Sequence, residues 1–133
     1  MNRTVFLAAA VGLAGVCGLL FAQEVDPIVI TLERTACLGP CPVYAVRITG
    51  DGRVEYTGTQ IVRVAGSATA QASRAAVRHL ADEFVRIGYF DFDNAYVATI
   101  DDISSTTTSI RIRSRSKSIV DMVGPPRALR ELE

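Results

Sequence analysis

The chain has 133 residues, with 14 Lys plus Arg against 14 Asp plus Glu, 49% hydrophobic residues, no Trp and a single His. That length allows one domain with a real core and no more. Zero net charge and a charged fraction of 21% exclude a disordered acidic or basic tail and give no global attraction to nucleic acid.

The first residues read as an address rather than as part of a fold. Residues 1–4 carry one positive charge, at Arg3, residues 5–22 hold no charged side chain, and Gln23-Glu24-Val25-Asp26-Pro27 turns polar at once. This is the pattern of an export signal at 1–22, followed by a short linker at 23–27 and a single domain at 28–133. Left uncleaved, residues 5–22 reach the length of an inner-membrane anchor and would be the chain's only membrane contact. Cys17 offers a lipoprotein alternative, although Val16 stands where a lipid-attachment motif wants a small residue. In each version the domain lies outside the cytoplasm, in the periplasm or cell envelope.

That compartment governs how Cys37 and Cys41 read. Oxidising surroundings favour a disulfide, and Cys37-Leu38-Gly39-Pro40-Cys41 has turn chemistry, with Gly39 free to take a positive φ. A bridge closing so short a loop contributes about 2 kcal/mol in the chain-entropy model, so it fixes a local shape rather than the domain. Two other chemistries stay open for the pair. A thiol redox centre usually has two intervening residues and a helix N-terminus to lower one pKa, whereas here three intervene and a strand pattern follows. Two thiolates can hold Cu(I), while a closed zinc site lacks ligands because the only histidine is the distant His79. The expectation is a structural staple without a cofactor.

Ile28, Ile30 and Leu32 alternate on one face of a first strand that enters the cysteine loop. Residues 43–49 and 53–58 then flank Gly50-Asp51-Gly52. A three-residue loop closing on Gly52 pairs Ile48 with Val54 and Val46 with Tyr56, whereas a two-residue turn mixes the faces, so the longer loop is predicted. Residues 61–65 continue the sheet, and the small residues at 66–72 form a connection. Ser73 caps a helix in which Val77, Leu80, Ala81, Phe84 and Ile87 recur at helical spacing before Gly88 stops it. Its outer face carries Arg78, His79, Asp82, Glu83 and Arg86, several of them four apart, which makes His79 a solvated residue rather than a catalytic one.

Tyr89-Phe90-Asp91-Phe92 brings aromatics to close the core. The carboxylates from Asp91 to Asp102 lack the twelve-residue calcium-loop pattern with its central glycine. Residues 106–114 and 118–123 form a last hairpin, with Ile112 against Val120, Ile110 against Met122 and Arg111 against Asp121. Arg111, Arg113, Arg115 and Lys117 make a basic stripe there that suits either a solvated edge or an anionic polymer. Gly124-Pro125-Pro126 opens a short helix bearing Leu129 and Leu132. No dinucleotide fingerprint, phosphate loop or serine triad is present.

The run Cys37-x-Gly39-x-Cys41-Pro42-x-Tyr44, then Gly50-Asp51-Gly52-x-Val54-x-Tyr56-x-Gly58, Gly66, Tyr89-Phe90 and Asp102 resembles the family called domain of unknown function 6438, over residues 28–133. The resemblance implies a small exported bacterial protein of the cell envelope, often a lipoprotein, and brings no activity with it. The sequence departs from the family pattern at Pro40 and in its short final helix.

The predicted fold is a two-layer α+β domain, a mostly antiparallel sheet of about five strands with one main helix on one face. The predicted role is a non-catalytic periplasmic or envelope-associated binding or structural module, with Gly39, Pro42 and Tyr44 beside the cysteines as its distinctive surface. Its partner would be another envelope protein or polymer, not nucleic acid. The alternatives are a thiol redox or Cu(I) protein using Cys37 and Cys41, and a binder of anionic envelope polymers through the basic stripe.

Overall fold

The alternation that commits Ile28, Ile30 and Leu32 to one face decides where the core forms. A computed structural model describes residues 27–133; the expected signal, nearly all of the linker and Cys17 lie outside the described residues. In chain order the elements are β1 (Ile28–Arg34), β2 (Val43–Thr49), β3 (Arg53–Gln60), β4 (Gly66–Gln71), α1 (Arg74–Arg86), a 3-10 turn (Tyr89–Asp91), β5 (Ala95–Tyr96), β6 (Thr106–Ile112), β7 (Arg115–Asp121) and α2 (Arg127–Leu132). The strands make one sheet in the order β4-β3-β2-β1-β6-β7-β5, antiparallel except between β5 and β7. The α+β class holds, but the sheet has seven strands instead of about five.

The β2–β3 hairpin takes the predicted register, with Val46 opposite Tyr56 and Ile48 opposite Val54. Gly52 adopts φ +93°, and the Ala72 carbonyl lies where its Cβ would stand, so only glycine closes this turn. Asp51 accepts from the Thr49 hydroxyl and the Arg53 N–H, which hold its carboxyl below the ordinary range.

Three expectations are overturned. Residues 61–65 form a loop, and the small-residue segment expected as a connection is strand β4, paired along its whole length with β3. An unpaired β3 edge imposes the extended form there despite the low strand propensity of Gly and Ala. The β6–β7 hairpin turns at Arg113-Ser114, with Arg113 at φ +54°, so Ile112 faces Arg115, Ile110 faces Lys117 and Thr108 faces Ile119. The predicted partners Val120 and Met122 are displaced because the tighter turn begins pairing at once and puts Ile119 into the core.

Ser73 caps α1 as predicted, its hydroxyl accepting from the Ala76 N–H at 3.1 Å, and Gly88 follows the helix with φ +74°. The helix lays Val77, Ala81 and Phe84 on Ile28, Ile30 and Ile110, while His79 stays exposed and Glu83 pairs with Arg86 at 2.7 Å. Tyr89 is 0% exposed. Its ring meets Phe84 edge-on at 4.8 Å, and its hydroxyl donates to the Thr108 carbonyl at 2.8 Å, 2.9 Å from the Thr108 hydroxyl. Burial pushes its pKa up to about 12. Tyr89→Phe therefore strips the Thr108 carbonyl of a buried donor and is expected to lower stability by about 1–3 kcal/mol in a denaturant titration.

Leu129 of α2 enters the same core, and Glu133 just beyond it meets Asp121 of β7. Asp121 Oδ1 and Glu133 Oε1 are buried without a donor. Burial, together with the Asp121 carboxylate, pushes Glu133 from 4.5 up to about 7. The folded state thus binds protons that the unfolded state has released, so stability falls as pH rises from 4.5 to about 7. Thermal melts across that window are expected to show this slope, and Glu133→Gln to flatten it.

Candidate functional site

α1, the 3-10 turn and α2 pack over β1, β6 and β7 and reach Ile48 of β2; no helix among the described residues covers the rest of that face on β2, β3 and β4. Alternation points Tyr44, Val46, Val54, Tyr56, Ala68 and Ala70 onto that open half. Tyr44 lies opposite Gly58, and the rings of Tyr44 and Tyr56 stack with centroids 6.1 Å apart. The Tyr56 hydroxyl donates to the Val64 carbonyl at 3.2 Å and draws the 61–65 loop onto the sheet. A Cβ on Gly58 would strike both that hydroxyl and that carbonyl, so the close approach requires glycine.

The result is an open groove of about 520 Å³ lined by Pro42, Tyr44, Tyr56, Ile61, Val62, Val64 and Ala68, with Arg63 its only charged side chain. Ile61, at φ +50°, is 63% exposed and Val64 is 52% exposed. Large apolar side chains held in water beside a shaped cleft are the usual mark of a binding surface.

The cysteine loop enters this groove directly through Pro42. Cys37 and Cys41 form a disulfide with Cα atoms 5.7 Å apart, and Gly39 between them takes φ +150°. The loop is tied to the 101–105 segment, Leu38 N–H donating to the Asp102 carbonyl at 2.9 Å and Thr35 N–H to the Ser105 carbonyl at 3.0 Å. Leu38 stands at its tip, 82% exposed. Both cysteines lie between two strands rather than at a helix start.

Of the surface residues expected from the sequence, Pro42 and Tyr44 line the groove and Gly39 shapes the loop before it. The basic residues do not share a face. Arg111 points to the helix-free side with Arg47 and Glu55, and Arg113 occupies the turn. Arg115 lies 4.0 Å above the Phe90 ring, and Lys117 donates to the Phe92 carbonyl on the helix side. Asp91, Asp93, Asp101 and Asp102 are exposed, and among the described residues no three His, Cys, Asp or Glu converge as metal ligands. Sequence reasoning missed Tyr56, Ile61, Val62, Val64 and Ala68 as one site. The only local signal was the cluster Ile61, Val62 and Val64 around Arg63, which reads equally well as a strand.

These features define a small α+β domain with an off-centre core and an apolar cleft beside a disulfide-closed loop. The chain belongs to the family described as Domain of unknown function (DUF6438), whose model matches residues 28–133. Among curated proteins, none matches the chain. Replacing both cysteines, Cys37→Ser with Cys41→Ser, is expected to lower stability by about 2 kcal/mol in chemical denaturation while the circular dichroism of the sheet persists.

Proposed function

We propose that the chain is an exported, non-catalytic binding or structural module of the cell envelope, and that the groove between Tyr44, Tyr56 and the 61–65 loop holds an apolar part of its partner. The exposure of Ile61 and Val64 beside a stacked tyrosine pair carries this reading. An apolar side chain of another envelope protein, or the apolar portion of an envelope polymer, suits a cleft of this size and lining. The disulfide acts as scaffold, holding Pro42 at the mouth of the groove. Its position in a strand-to-strand loop supports that role over a thiol redox or Cu(I) centre, since such a loop supplies no helix dipole to lower a thiol pKa. The separation of Arg111 from Arg115 and Lys117 favours the groove over an anionic-polymer stripe.

Two measurements test the reading. Anilinonaphthalene sulfonate is expected to fluoresce on binding the groove, and Tyr56→Ser to weaken that binding at least about tenfold. Thiol trapping of the exported protein is expected to find Cys37 and Cys41 fully oxidised, with a potential below about −300 mV. A pair isolated reduced or loaded with copper moves the active chemistry to the cysteines and overturns the proposal.

A further inference from the structure

Among the described residues, the long edge of the sheet leaves its backbone unpaired. Among the described strands β4 bonds to β3 alone; it is six residues long and consists of exposed Gly-Ser-Ala-Thr-Ala-Gln without charge or proline. Sheet edges are ordinarily blunted by shortness, charge, proline or a bulge. The opposite edge, β5, is only two residues long, whereas β4 carries none of these protections.

Which groups face outward follows from the ladder. The Ala72 N–H donates to the Gly52 carbonyl at 2.8 Å, across a position in register with the β3–β4 pairs. Carrying the antiparallel alternation back along β4 turns the backbone groups of Ala70 and Ala68 toward β3 and those of Ser67, Thr69 and Gln71 toward solvent.

We propose that β4 pairs antiparallel with β4 of a second copy, about a two-fold axis at Thr69, to form one sheet across two chains. The outward-facing residues are spaced evenly around Thr69. An axis there sets Ser67 against Gln71 and Thr69 against its own counterpart, each as a doubly hydrogen-bonded pair. The strand is uncharged, so self-pairing opposes no like charges, and Thr against Thr is a favourable cross-strand pair. An axis perpendicular to the sheet keeps both grooves on one face, and Ala70 of the second copy then continues the groove floor beyond Ala68. The inference goes beyond the groove reading, because it rests on the backbone of β4.

Sedimentation equilibrium of the intact protein, from micromolar to near-millimolar concentration, tests it. A concentration-dependent dimer is expected. Thr69→Pro removes an outward N–H and spares the bonds to β3, and is expected to raise the dimer dissociation constant at least about tenfold. Thr69→Lys sets two ammonium groups opposite each other and is expected to weaken the dimer similarly, with partial recovery in high salt. Residues 1–26 are common to all three proteins, so a difference between them traces to β4. A wild type that stays monomeric throughout the range overturns the proposal. So does a dimer that neither substitution weakens.

Discussion

A helix is about 10 to 12 Å across, while seven strands at about 4.8 Å spacing span about 29 Å. One main helix cannot cover such a sheet, and the rest of this structure follows from where it sits. α1 lies over the strands that carry Ile28, Ile30 and Ile110, and the aromatics after Gly88 extend cover toward β7. Beyond Ile48, which packs against the core, the far half offers Tyr44, Val46, Val54, Tyr56 and two alanines. The 61–65 loop folds back over part of that surface, and the groove is the space left between them.

The other face of the sheet has no such problem, because its residues are chosen for water. Thr31 and Ser109 share a hydrogen bond across β1 and β6, and Glu55 takes Arg47 and Arg53 at 3.5 and 2.9 Å. Exposed pairs of this kind add little stability, but they keep the face polar and leave the apolar cleft as a distinct patch on the opposite side. The electrostatic balance seen in the composition is thus a local one as well, with opposite charges placed on adjacent strands.

Much of the fold was legible because its signals were local and chemically strict. Gly50-Asp51-Gly52, taken with the apolar alternation on either side, selected one register for β2 and β3, and Ser73 with Gly88 bracketed α1. The last hairpin misled for a physical reason: Arg115 and Lys117 occupy positions on the helix side that alternation reserves for apolar residues. They are held there by the Phe90 ring and the Phe92 carbonyl. Long cationic side chains can lay apolar stems on a core margin and still reach a polar partner, so pattern alone assigned them to a turn. β4 was illegible because in Gly-Ser-Ala-Thr-Ala-Gln only Thr69 favours a strand; the neighbouring edge dictates it. Pro42 and Tyr44 were readable by their place after the cysteines. The rest of the groove depended on which half of the sheet the helix leaves bare, and no residue pattern encodes that.

The off-centre core grades the molecule from one side to the other. β1 and β6, in the middle of the sheet and under α1, are sealed by both neighbours and by Tyr89. Among the described residues the β4 margin has one neighbour and no helix over it, so its amides open to solvent by local fluctuations that need not disturb the centre. The groove is built on that margin, where Gly58 and the Tyr56 hydroxyl hold the 61–65 loop against β3. The centre that keeps the domain folded is thereby set apart from the margin that carries the groove.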